Sequence, residues 1–166
     1  MRLVTSVCRF FQLIFTIVVL GLSITLAKGQ QLGSVPSETS YGAFSGGIGV
    51  LAALIGTVAI FIDSLDGVVT WVLDGVSALA LLAAGIIFAV RLHGTSCSDP
   101  DTLFGNVLLS GGCITTNDGI YTGCYWDEKH LKSRCTSATA DTAFMFLGFI
   151  MCIGVLIASF IFRNRR

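Results

Sequence analysis

Asp74 is the residue of this sequence best placed to do chemistry, because it is the one charge set well inside a long apolar run, Val68 to Val90. An aspartate at the centre of a bilayer costs on the order of 3 kcal/mol on insertion scales, and such residues usually serve a proton, an ion or a partner side chain. Its helical neighbours Ser77 and Ala78 are small, so its side chain is expected to point into a bundle. No second acidic or basic residue stands out at that depth, and an ion pathway would need further embedded polar partners. The expected role is therefore structural, a carboxyl group bonding across helices, with an ion or proton site as the alternative.

The cysteines offer a second kind of chemistry. Cys97, Cys113, Cys124 and Cys135 share one hydrophilic stretch, and an even number in an oxidising compartment reads as two disulfides with three pairings open. A zinc site combining them with His93 and His130 is the competing reading, but no Cys-x-x-Cys or paired-histidine spacing supports it. Cys8, beside Arg9, is a candidate for reversible palmitoylation, against the plainer reading of a buried thiol. Cys152 reads as a packing residue. Gly47-Ile48-Gly49-Val50-Leu51-Ala52 matches a dinucleotide fingerprint in letters only, since it lies in an apolar run with no strand before it. With no nucleophile elbow and no phosphate-cradling loop, the chain is expected to be non-enzymatic, without cofactor or metal.

The elements that must position these residues follow from composition. Of 166 residues, 54% are hydrophobic and only 12% charged, about half the charge density of a soluble domain. Ten basic residues balance ten acidic ones, which excludes nucleic-acid binding driven by net charge. Four apolar stretches, 10–27, 42–62, 68–90 and 142–162, approach the roughly 20 residues a helix needs to cross a bilayer. The first also has the flanks of a secretory signal, but it exceeds the usual core length and is read as a retained helix. The expectation is all-α: one domain over 6–164, a four-transmembrane-helix bundle with an outer, disulfide-containing loop over 91–141.

Orientation follows from the basic residues. Arg2, Arg9, Arg163, Arg165 and Arg166 cluster at the termini, so the positive-inside rule puts both ends in the cytoplasm, and with four spans the turn Asp63-Ser64-Leu65-Asp66-Gly67 lies on that side too. In the second span Gly42, Gly46, Gly49, Ala53 and Gly56 occupy one helical face, where missing side chains let backbones approach. Packing within the bundle and self-association into a homo-oligomer are both open uses of that face. Tyr121, Tyr125 and Trp126 in the outer loop suit the headgroup region.

Phe61–Gly67, Leu73-Asp74, Ala83–Cys97, and Arg134-Cys135 followed by Ala138, Ala140, Ala143, Phe144 and Phe146 succeed one another along the chain. Taken in that order, these segments resemble the fungal MARVEL-domain membrane proteins of the non-classical export, eisosome-associated branch. The resemblance implies a four-helix bundle that organises plasma-membrane microdomains or furrows, responds to sphingolipids, or aids vesicle traffic. It further implies that Cys97 pairs with Cys135, leaving Cys113 for Cys124. The longer, cysteine-richer outer loop and the short tail after the last span depart from that pattern. The expected partners are membrane lipids, including sphingolipid- or sterol-rich domains. A trafficking or cargo adaptor and a small channel or transporter centred on Asp74 are the rival functions.

Overall fold

The computed structural model describes residues 2–59, 68–99, 102, 103, 106, 108–115, 121–125 and 127–163, with backbone alone at 2–4, 113–115, 121–124, 162 and 163. Its helices are α1 (Arg2–Lys28), α2 (Ser37–Ala59), α3 (Val68–Leu92) and α4 (Glu128–Arg163). Among the described residues, these four are long and apolar enough to cross a membrane. A short antiparallel hairpin between α3 and α4, β1 (Cys113–Thr115) with β2 (Tyr121–Cys124), is the one strand pairing among the described residues.

Local chemistry sets the helix ends. Gly94 follows α3 at φ +77°, a left-handed turn that glycine accepts without strain. The Asp127 carboxylate accepts from the Lys129 amide at 3.0 Å, capping an N-terminus whose amides lack intrahelical partners. From that cap α4 runs for 36 residues, about 54 Å at the helical rise. It therefore begins well before the apolar run at Thr142, and residues 128–141, expected in the outer loop, are its first turns.

Each helix packs on its neighbours in sequence, and α1 closes the ring on α4. On every helix a series of buried positions follows a heptad spacing: 9, 12, 16, 19, 23 and 26 on α1; 39, 42, 46, 49, 53 and 56 on α2; 70, 74, 77, 81, 84 and 88 on α3; 138, 141, 145, 148, 152 and 155 on α4. Such a repeat keeps one seam facing inward along a left-handed bundle. Outside, Phe10, Leu51, Leu79, Val90, Ile150 and Phe160 are each more than half exposed, as suits a molecule whose solvent is lipid.

The small-residue face of α2 lies against α1. A Cβ on Gly46 would stand 2.7 Å from the Leu20 backbone nitrogen, one on Gly42 would stand 2.7 Å from Ser23 Oγ, and Gly49 and Gly56 abut Thr16 and the Arg9 guanidinium. Ala53 is fully buried on the same face. This face is covered within the chain and is not presented to a second copy.

Candidate functional site

The seams hold polar side chains at two levels. At the first, Arg9 of α1 and Asp74 of α3 form a two-pronged ion pair. Arg9 Nη1 donates to Asp74 Oδ1 at 2.5 Å and Nη2 donates to Oδ2 at 2.6 Å, with the side chains 5% and 1% exposed. Gln12, one turn along α1, ties the pair together: its Nε2 donates to Asp74 Oδ1 at 3.1 Å and its Oε1 accepts from Arg9 at 3.0 Å. The same amide reaches Cys152 Sγ at 3.2 Å, and Ser77 Oγ lies 3.7 Å from that sulfur. Cys152 thus joins the polar layer as well as filling space.

This corrects the expectation that Asp74 has no charged partner at its depth. Arg9 precedes the apolar run that begins at Phe10, which by sequence alone sets it among the basic residues beside the membrane. Its helix starts at Arg2, however, and a guanidinium on a long stem carries charge away from its own Cα. The signal was available: Arg9, Gln12, Thr16 and Ser23 stand three, four and seven residues apart, all on one helical face. Chemically, the pair leaves no free carboxylate, for both Asp74 oxygens are engaged by Arg9.

The second level joins α1 to α4. Ser23 Oγ donates to Asp141 Oδ2 at 2.7 Å, and both residues are fully buried. Asp141 Oδ1 and Thr39 Oγ1 are buried without a protein hydrogen bond. Sequence reading missed Asp141 by taking it as the end of the outer loop. Its place in the series Ala138, Asp141, Met145, Gly148 was the signal.

Beyond these levels the segment between α3 and α4 is fastened down by Arg134. Its guanidinium donates to the carbonyls of Leu26, Leu108 and Leu109 at 2.8, 3.0 and 3.2 Å. The Leu26 carbonyl lies in the last turn of α1, where the helix dipole favours a cation. The next residue, Cys135, is disulfide-bonded to Cys97, the pairing that the family resemblance implied. His130 Nε2 lies 3.0 Å from the Gly29 carbonyl, and the Gln31 amide donates to Gly111 O at 2.7 Å. Gly112 takes φ +111° with its missing side chain pointing at the Leu32 carbonyl, so only glycine fits there.

The remaining predicted residues are placed as follows. Cys113 and Cys124 are directly opposite in the hairpin register, but a bond between them falls on side chains outside the described residues. Cys8 is a partly exposed free thiol near the start of α1. Tyr125 sets its ring edge-on to His130, with centroids 5.4 Å apart. Trp126, the turn Asp63–Gly67 and the tail from Asn164 lie outside the described residues.

The chain belongs to the MARVEL family: the model of that family, described as a membrane-associating domain, matches residues 2–158. No curated protein and no solved structure matches the chain.

Proposed function

With a multi-pass member of a membrane-associating family as the premise, we propose that this chain is a non-enzymatic organiser of plasma-membrane microdomains. The domains in question are of the eisosome or furrow kind and respond to sphingolipid state, and both termini of the protein are cytoplasmic. The observation that carries this reading is the division between core and surface. At depth in the bundle the charged groups are turned inward, Arg9 onto Asp74, with Ser23 onto Asp141, while the lipid-facing side carries aliphatic and aromatic residues. What such a molecule offers its surroundings is shape, span length and interfacial anchors. Each acts on lipids with a fraction of a kcal/mol per Å of mismatch, so sorting a membrane takes many copies acting together. Because the glycine face of α2 is covered by α1, copies gather through their lipid-facing sides. Cys8, partly exposed near the start of α1, is the residue proposed to carry a reversible palmitoyl group.

The Asp74-centred transporter is disfavoured by the ion pair that occupies its carboxylate. The adaptor reading keeps one observation in its favour, an outer segment fastened by the Cys97–Cys135 bond and the Arg134 clamp, which would present a fixed surface to cargo. The test is photobleaching recovery of a C-terminal fluorescent fusion in a fungal cell carrying an eisosome marker. The organiser is expected in immobile patches on the marker that disperse when sphingolipid synthesis is inhibited. A uniform or internal distribution indifferent to sphingolipids refutes it and favours the adaptor.

A further inference from the structure

Beside the hairpin end of the bundle, α2 and α3 leave a cleft of about 620 Å³ lined by Ser37, Glu38, Tyr41, Ile86, Ile87, Val90 and Arg91. Its character is mixed in a specific way. Ile86 and Val90 are 48% and 67% exposed and give it an aliphatic wall continuous with the lipid-facing surface. Glu38 and Arg91 bring opposite charges to the same small volume. Arg91 Nη2 donates to Glu38 Oε1 at 2.6 Å, and the two side chains are 16% and 54% exposed for Glu38 and Arg91. That bond uses one of five guanidinium donors; the others form the planar fork that matches a phosphate. Glu38 also accepts from Ser37 Oγ at 3.1 Å, and Tyr41, one turn along α2, lines the same cleft.

We propose that this cleft binds one phosphocholine lipid, with its phosphate on Arg91, its quaternary ammonium between Glu38 and the Tyr41 ring, and an acyl chain along Ile86, Ile87 and Val90. The charge pattern selects this occupant. A phosphate beside a trimethylammonium is the complement of a guanidinium beside a carboxylate, and an aromatic face is a known receptor for such an ammonium. A lipid whose headgroup is only anionic would meet Glu38 as a like charge. A sterol would bring no anionic group to the remaining guanidinium donors of Arg91 and no cation to Glu38. The inference deepens the organiser reading by naming a lipid the protein selects, and it rests on that reading for its biological meaning.

Native mass spectrometry of the purified full chain in detergent micelles tests the site. Dioleoyl phosphatidylcholine and dioleoyl phosphatidylglycerol are offered together, so the acyl chains are identical. The expected result is roughly tenfold preference for phosphatidylcholine, the scale of one charge-assisted contact. Arg91→Gln should abolish retention of that lipid, whereas Glu38→Gln should move the preference toward phosphatidylglycerol, with helix content by circular dichroism unchanged in each. Equal or greater retention of phosphatidylglycerol by the unmodified chain overturns the proposal without any variant needing to fold. So does a folded Glu38→Gln protein with an unaltered preference, or displacement of phosphatidylcholine by equimolar cholesterol. Absent lipid preference with patches intact in cells strikes out the cleft alone. Dispersed patches with the preference intact strike out the organiser alone.

Discussion

Removing Asp74 should cost more stability than removing Arg9, and removing both should cost least. The guanidinium meets both carboxylate oxygens at 2.5 and 2.6 Å with almost no exposure of either side chain. Breaking such a pair from one side generally costs about 3–5 kcal/mol, because the survivor remains charged and buried. The two survivors are not equivalent. A lone carboxyl group in a low-dielectric interior can take up a proton, and Gln12 Nε2 still reaches it at 3.1 Å. A lone guanidinium cannot shed its charge. It would keep Gln12 Oε1 at 3.0 Å as its remaining acceptor in this layer, while its Nε is already without a partner. Asp74→Leu is therefore expected at the upper end of the range, about 4–5 kcal/mol, and Arg9→Met nearer about 2–3 kcal/mol. The double variant is expected within about 1 kcal/mol of the parent, since an apolar replacement of a buried pair is often neutral or better. The assay is equilibrium unfolding of purified protein in mixed micelles, followed by circular dichroism against the mole fraction of dodecyl sulfate. Additive losses in the double variant would refute the reasoning, as would a greater loss from Arg9→Met than from Asp74→Leu.

The remaining expectations concern packing and the outer segment. Gly46→Ala places a methyl 2.7 Å from the Leu20 backbone nitrogen and should lower stability by about 1–3 kcal/mol. Gly47→Ala, one residue on, where an added Cβ would meet nothing within 4 Å, should be neutral or stabilising by up to about 1 kcal/mol; melting temperatures in one detergent that fail to separate the two would remove α1 as the partner of that face. The Cys97–Cys135 bond closes a separation of 38 residues, so Cys97→Ser with Cys135→Ser should cost about 4 kcal/mol on the chain-entropy account. A melting point equal to that of the oxidised parent would contradict this. Arg134→Lys keeps the charge but cannot span three carbonyls, each of which costs about 1 kcal/mol or more when buried and unpaired. Amide exchange at Gln31 and Leu32, both bonded to Gly111 O, should then quicken by roughly tenfold, and unchanged exchange would show that the clamp does not hold the outer segment to α1.

Much of this architecture was legible because lipid imposes two simple demands. Spans must be long and apolar, and helices that touch must be small or polar where they touch. The first demand exposed four stretches, and the second exposed the α2 face. What escaped has a physical reason in each case. A search for apolar runs ends at the first charge, so it stopped α1 at Phe10 and set Arg9 outside, although three methylenes let the charge lie a turn inward. The same search began the last span at Thr142. The turns from Glu128 to Asp141 are amphipathic in the manner of a soluble helix, with Leu131, Arg134, Cys135 and Ala138 buried and Lys129 and Lys132 exposed. Period, rather than mean hydropathy, reveals such a segment. The hairpin strands are three and four residues long, too short for alternation to mark them, and they lie in a hydrophilic stretch read as a disulfide-containing loop.

The seams also explain why polar residues lie on the inside of a molecule dissolved in lipid. Between two helices in a bilayer there is no water to release, so apolar side chains gain little by meeting each other instead of lipid. Close contact comes from the glycines of α2, and each receives something from α1: Gly42 faces Ser23, Gly46 faces the Leu20 backbone, Gly49 faces Thr16 and Gly56 faces Arg9. That run of matches sets the register of α1 on α2, but shape alone would tolerate a slide by one heptad, since small residues recur at the same spacing. The hydrogen bonds remove that freedom. Arg9 must meet Asp74 on α3 while Ser23 meets Asp141 on α4, and a slide of seven residues would carry the Arg9 guanidinium away from Asp74 and Ser23 away from Asp141. The steep cost of that error in a low-dielectric interior is what selects one alignment. In this bundle glycine supplies proximity, and the buried charges supply uniqueness.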